Sequence, residues 1–467
     1  MASIATCKSL FESFIRHSLQ QLSAIESELP TLPKFQAVKK IKKGGRNRII
    51  FEEQTQPNWW QIPKKIRLSL IGSEQGAKLL SCLSQTNPFN EAIGKTISLP
   101  ELGVAQTCPS HLAILNDILV SYLFATGTKR WNSRAFDIVW NDCISYFNPA
   151  NEYAEFWLYA PIAFLSGLPP RIDLGDGFEI KKLSPTKAAC IASLNPELAG
   201  ITVRHRFTSW TNYYFIKKCQ IKKVIAHESE DDFLFAKQIF WEPEINEEVA
   251  LLRSLLPTIA GCPTYGIIRL GYPRFSGGWR LCDLPWKVNS FPSHEPVNRK
   301  QVSDFKRRRR QFLEKHGAKG WENVMASMRR FAVAWQNPFR SDILADIVAA
   351  LEQLLIRSNM EINYKLRVRV AHYLSNKNSE QVKIAADIRD AYSYRSKVYH
   401  GGYVFDNPIE FEGAKRLKSA KGKKGNLYHD INEVNRLIYS IAGYYRTILA
   451  SIIDRGEFNI NWNAIGL

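Results

Sequence analysis

The sequence predicts an α+β multidomain protein: a mainly helical N-terminal region, a β-rich middle domain and a C-terminal all-α up-and-down helical bundle. Three observations carry that reading. Apolar residues recur at helical spacing over residues 1–168. Over residues 169–297 they alternate, or run in β-branched and aromatic strings between turn residues. Over residues 321–455 the helical period returns, in segments joined by short connections that suit antiparallel neighbours. At 467 residues the chain is long enough for about three domains.

In the N-terminal region Leu10, Phe14, Leu19, Leu22 and Ile25 outline an amphipathic helix. Glu12, Glu26 and Glu28 interrupt it and argue against a transit peptide. A loop is expected through Pro30, Pro33 and Gly44-Gly45, followed by periodic segments near 64–84, 110–126 and 133–147. Trp59-Trp60 after Pro57 offers either interdomain packing or a stacking surface for bases. The longest apolar run, from Phe156 to Gly167, is too short to span a bilayer and carries Pro161, so no membrane partner is expected.

The middle domain, 169–297, is read from Ile172 to Leu174, Phe178 to Leu183, Ile201 to Phe207, Tyr213 to Val224 and Tyr265 to Leu270. Gly175-Asp176-Gly177 punctuates the first two, and lacks the spacing of a dinucleotide or phosphate loop. A mixed or antiparallel sheet with one helix near Glu247–Leu256 is expected. Residues 298–320 are charged and polar and read as a basic helix or linker. Helices are then expected near 322–335, 341–357, 362–375, 380–400 and 430–454. Asn337-Pro338 ends the first, Asp430 with Glu433 makes a capping-box start for the last, and 456–467 is a tail.

Charge narrows the partner. A formal net charge of +19 attracts polyanions. The cations cluster at Lys39 to Arg48, at Lys306 to Arg310, and at Lys415, Arg416, Lys418, Lys421, Lys423 and Lys424. The last cluster lies in a glycine-containing segment suited to holding an RNA strand, although each run singly is also what a solvated surface looks like. Eight cysteines stand without a C-x-x-C or a Cys/His cluster, which fits a reduced cytoplasmic protein with no disulfide framework, metal site or cofactor.

The chemistry concentrates in Tyr392-Ser-Tyr-Arg-Ser-Lys-Val-Tyr-His-Gly-Gly402. Ile384, Ile388, Ala391 and Val398 share one helical stripe, and Arg395 lies on it. A guanidinium there needs an acid or a phosphate. Gly401-Gly402 ends the helix, which leaves His400 at its negative end. An imidazole that moves protons and a guanidinium that holds phosphate suffice for metal-free RNA cleavage. Residues five apart on a helix diverge by about 140°. A homodimer would therefore supply both groups to one phosphate more readily than a single protomer. The alternative is structural, with Arg395 in a buried ion pair and His400 capping the helix. The same spacing at Arg367 and His372 shows how short the motif is.

Three blocks add a resemblance. Asp342 to Leu355 looks like the "ALE-x-LL" helix of Apea-like HEPN domains, Glu361 to Leu374 is similar to that family's next helix, and Tyr394 to Gly401 resembles its "RS-x-x-x-HG" signature. The resemblance covers residues 321–455. It implies an endoribonuclease that works as a dimer without metal, with Arg395 and His400 as the catalytic pair and Ser396 where many relatives carry an amide or an acid. Antiphage defence or a stress response would then be the setting, with an unknown trigger or inhibitor acting on the N-terminal domains. Glu352 either orients Arg395 or a histidine or is an ordinary boundary carboxylate. Tyr392, Tyr394 and Tyr399 either stack on bases or pack. The competing functional reading is a catalytically inactive nucleic-acid-binding or regulatory protein of the same fold.

Overall fold

The computed structural model describes residues 3–25, 35–43, 46–54, 64–87, 89–93, 96–99, 104–107, 110–126, 128–148, 150–162, 165, 168–184, 187–188, 191, 213–226, 242–258, 264–269, 275–281, 297–337, 340–356, 361–399 and 424–460. The chain divides into two compact units. The first comprises Met1–Ala163, Pro170–Trp241 and Thr264–Leu281; the second comprises Phe164–Pro169, Glu242–Pro263 and Cys282–Leu467.

The first unit opens on α1 (Ile4–Ala24), whose Ser3 hydroxyl accepts the Thr6 amide at 3.1 Å as an N-cap. Phe11, Phe14, Ile15, Leu19 and Leu22 are buried at helical spacing. Further helices are α2 (Lys64–Ile71), α3 (Glu74–Leu83), α4 (Phe89–Ala92), α5 (His111–Thr126) and α6 (Ser133–Phe147). Trp140 gathers the aromatic core, with Phe11 at 5.1 Å and Phe89 at 5.8 Å between ring centroids. Lys223 is buried and closes the end of α6, donating to the carbonyls of Ser145 at 3.0 Å and Asn148 at 2.8 Å.

Strands are more numerous here than the sequence suggests. Residues expected to loop around Gly44-Gly45 instead form an antiparallel hairpin, β1 (Phe35–Lys43) with β2 (Arg46–Gln54). A second small sheet joins β3 (Thr96–Leu99) and β4 (Val104–Thr107) to β9 (Val224–Ala226). The main sheet comprises β5 (Tyr153–Ile162), β6 (Arg171–Gly175), β7 (Phe178–Lys182), β8 (Tyr213–Lys222), β10 (Thr264–Arg269) and β11 (Phe275–Leu281). Its order is β11-β10-β5-β8-β7-β6, antiparallel throughout. The apolar run placed at the end of the helical region is thus the central strand β5. It is nearly continuous in apolar character because a neighbour lies on each edge and its second half is buried throughout. Asp176 and Gly177, at φ 52° and 75°, join β6 to β7 with the positive dihedrals a two-residue hairpin needs. The strand expected at Ile201 to Phe207 and the pair Trp59-Trp60 lie outside the described residues.

The second unit is helical: α7 (Glu242–Leu255), α8 (Arg299–Glu314), α9 (Trp321–Ala334), α10 (Arg340–Leu355), α11 (Ile362–Leu374), α12 (Asn378–Tyr399) and α13 (Lys424–Arg455). Two details differ from expectation. The helix placed within the β-rich middle domain, α7, packs against α9 and α13. And α13 begins at Lys424, upstream of the Asp430 capping signal. The reason for α7 lies in tertiary partners no local pattern displays. Glu248 forms a buried ion pair with Arg309, whose Nε donates to Oε2 at 2.9 Å. Arg446 donates to the carbonyls of Arg253 at 3.0 Å and Thr258 at 3.2 Å.

The bundle is organised around α10, which packs against α9, α11, α12 and α13 and is buried on nearly all sides. On α13, Val434, Leu437, Ile441, Tyr445, Ile448 and Ile452 form the inward stripe. Tyr445 stacks on Phe331 at 4.2 Å, and the Ser327 hydroxyl, 3.1 Å from the Tyr445 hydroxyl, donates to the Ala350 carbonyl at 2.7 Å. Arg446 lies over the Phe331 ring at 5.2 Å, and burial pushes its pKa down to about 10. Beyond α13 the tail doubles back, so that Phe458 meets Phe312 edge-on at 5.8 Å. That close approach requires Gly320, where φ is +91° and a Cβ would stand 2.4 Å from the Phe458 carbonyl. Among the described residues no helix is long and apolar enough to cross a membrane.

Candidate functional site

The local sequence of α12 explains where Arg395 points. Ile384, Ile388 and Ala391 are buried, and Arg395 follows Ala391 by one turn on the same face. That face lies against α10. On α10, Leu351, Leu354 and Leu355 are buried and Glu352 stands at the edge of their stripe. Two polar residues on the margins of two apolar stripes therefore meet. Arg395 Nη2 lies 2.9 Å from Glu352 Oε2, with side chains 23% and 15% exposed. Both side chains are thus mostly enclosed, the arginine less so than the glutamate.

Tyr392 completes one side of the arginine, with the guanidinium carbon 5.4 Å from its ring centroid. Burial pushes the Glu352 carboxyl above the usual carboxylate range, while the positive charges of Arg395 and Arg330 pull it back. Arg330, on α9, itself pairs with Asp346 at 3.1 Å, and Asn337 donates to the other Asp346 oxygen at 2.6 Å. The sequence gives no signal for Arg330, because nothing local records that α9 passes close to Glu352.

Upstream on α12 a second polar cluster ties the helix to α13. Asp387 is buried and accepts from Arg436 at 2.8 Å and from the Tyr444 hydroxyl at 2.7 Å. Burial, reinforced by the hydrogen bond and charge of Asp387, pushes the Tyr444 phenol up. This linkage holds the helix axis on which Arg395 is displayed.

The structure thus brings together Arg395, Glu352 and Tyr392. Ser396 is half-buried on the next position of α12. Tyr399 is the last helical residue, its side chain outside the described set. His400, which follows it directly, lies outside the described residues, as do Gly401-Gly402 and Lys415, Arg416, Lys418, Lys421 and Lys423; Lys424 is described as the first residue of α13 by its backbone alone. On α11, Arg367 is half-buried and His372 is exposed. Among the described residues, no group of three or more His, Cys, Asp or Glu side chains could hold a metal ion.

Comparison with protein-family models, with curated proteins and with solved structures returns no match.

Proposed function

We propose that the chain is a metal-independent endoribonuclease that cuts RNA by 2′-hydroxyl transesterification, as the resemblance to Apea-like HEPN domains implies. The observation that carries the reading is the Arg395–Glu352 pair. A half-enclosed guanidinium is held at 2.9 Å by a carboxylate, on the last turns of a helix that runs to Tyr399, the residue before His400. A guanidinium set by a carboxylate near the end of a helix suits the non-bridging oxygens of a phosphodiester, where charge builds in the transition state.

In this mechanism His400 of one protomer takes the proton from the ribose 2′-hydroxyl. The 2′-oxygen then bonds to phosphorus, the bond from phosphorus to the 5′-oxygen breaks, and His400 of the partner subunit protonates the departing 5′-oxygen. An imidazole of ordinary pKa, about 6.5, serves in either role near neutrality. The products are a 2′,3′-cyclic phosphate and a 5′-hydroxyl, and DNA resists because it lacks the nucleophile. Tyr392, whose ring lies against the guanidinium, would stack on a neighbouring base in this reading. We assign the activity to the reduced cytosol, to antiphage defence or stress, and to a homodimer restrained by the first unit until triggered. RNA is the partner throughout, and the 415–424 cations are taken as part of its path.

The second reading, a non-cleaving nucleic-acid-binding or regulatory protein, draws on the same ion pair, since Glu352 already neutralises Arg395. Incubating the purified protein and its His400→Ala form with total RNA separates the two. Cleavage ending in cyclic phosphate, indifferent to EDTA and lost in the variant, supports the enzyme. Binding without cleavage by the wild type under every condition supports the second reading, and equal cleavage by both forms removes His400 from the mechanism.

A further inference from the structure

We infer that the outward face of α8 is an RNA-backbone ridge, separate from the Arg395 site and contacting phosphates of the same strand. The inference rests on the ribonuclease reading only for the choice of RNA as the polyanion. The helix carries cations on all sides, and the structure sorts them. Arg309 points inward to Glu248, and Arg307 and Arg308 both grip Asp454, at 2.7 and 2.8 Å. Arg299, Lys300 and Arg310 are exposed and Lys306 is half-exposed; none of the four has an acidic partner among the described residues.

Their positions along the helix make a line. At about 100° per residue, Arg299, Lys306 and Arg310 fall within about 40° of one another, while Lys300 flanks them. From Arg299 to Arg310 the axis advances about 16 Å, room for several nucleotides. Lys306 and Arg310 stand one turn apart, a like-charge spacing that weakens a helix. The chain thus retains a repulsion that a bound polyanion would relieve. The ridge is also rigid. Asn298 and Gln301 form a capping box at its start, Phe312 stacks on Trp321 at 5.0 Å at its end, and the Asp454 clamp fixes it to α13. An anionic membrane is the weaker fit, because a surface-bound helix inserts apolar side chains, and Val302, Phe305 and Phe312 are buried inside the unit.

The test is fluorescence anisotropy with a labelled single-stranded RNA of mixed sequence, using the full chain carrying His400→Ala so that the probe stays intact. The ridge variant adds R299A, K300A, K306A and R310A. A charge-matched control adds K65A, R134A, K222A and K383A, all at exposed positions elsewhere. At about 0.7 per phosphate contact, four contacts make the slope of log affinity against log salt shallower by about 3 in the ridge variant. Its Kd rises at least tenfold at 0.1 M salt, while the control stays within about twofold and both keep the parent's urea midpoint. Unchanged affinity and slope in the ridge variant would overturn the inference. So would an equal loss in the control, or a loss confined to phosphatidylserine vesicles. Cleavage by the protein with His400 intact reads out separately. RNA bound through the ridge but never cut refutes the enzyme and leaves the ridge standing; cutting with an unaffected ridge variant does the reverse.

Discussion

Replacing Arg395 with alanine strips Glu352 of the partner that lies 2.9 Å away. At that separation Coulomb attraction is worth about 6 kcal/mol at an effective dielectric of 20 and about 1.4 kcal/mol at that of water. With side chains 23% and 15% exposed, the pair belongs between those limits. Part of the attraction also offsets desolvation of the two ions, so the expected loss is about 2–3 kcal/mol at neutral pH. For a unit of this size that lowers Tm by about 4–12 °C. The pH dependence follows from the carboxyl. Burial already raises its pKa in the folded state, and removing Arg395 raises it further. A raised carboxyl favours the fold below its unfolded pKa and loses that favour as pH climbs through the folded value. The deficit of the variant therefore opens as pH rises from about 4 toward 8 and narrows on acidification. The assay is urea unfolding at pH 5 and pH 7.5 of the wild type, R395A, E352Q and the double variant. The double-mutant cycle should return a coupling of about 2 kcal/mol at the higher pH. A coupling under about 0.5 kcal/mol, or a deficit that grows on acidification, would refute the account of Glu352 as the group that holds Arg395.

Asp454 shows the opposite sign. Although burial pushes the other way, Arg308 and Arg307 hold its carboxyl below the usual range, so D454N should lower the urea midpoint at pH 7 by an amount that fades as pH falls toward 3. Asp387→Ala leaves the Tyr444 hydroxyl without its acceptor inside the bundle and should cost about 2–3 kcal/mol, against about 1 kcal/mol for Tyr444→Phe, both by denaturant titration. Gly320→Ala forces a Cβ to within 2.4 Å of the Phe458 carbonyl at positive φ, so it should destabilise by about 1–3 kcal/mol and speed proteolysis of the C-terminal tail.

Legibility in the sequence followed how local each determinant was. The bundle helices declared themselves through period, and α9, α10, α11 and α12 begin and end within a few residues of where their apolar spacing and turn residues place them. The Gly175-Asp176-Gly177 turn was equally plain, because its positive φ values are a backbone demand that few residues meet. By contrast, β5 hid inside a region read as helical. A continuous apolar run has no period to report, and only its two strand neighbours explain it. The hairpin of β1 and β2 was masked by lysines and a glycine pair that suit an exposed loop as well as a turn between strands.

The candidate site divides in the same way. That Arg395 lies on an apolar stripe, one turn beyond Ala391, is a property of the helical repeat and was visible from spacing alone. That its partner is Glu352, that Tyr392 lies beside it and that Arg330 tugs on the same carboxyl depend on how α9, α10 and α12 pack. The membership of α7 in the helical unit, enforced by Glu248 and Arg309, is likewise a matter of packing. Periodicity specifies which face of an element avoids water, because burial depends on each residue's own side chain. It does not specify which face meets which, because that depends on contacts between residues far apart in the chain.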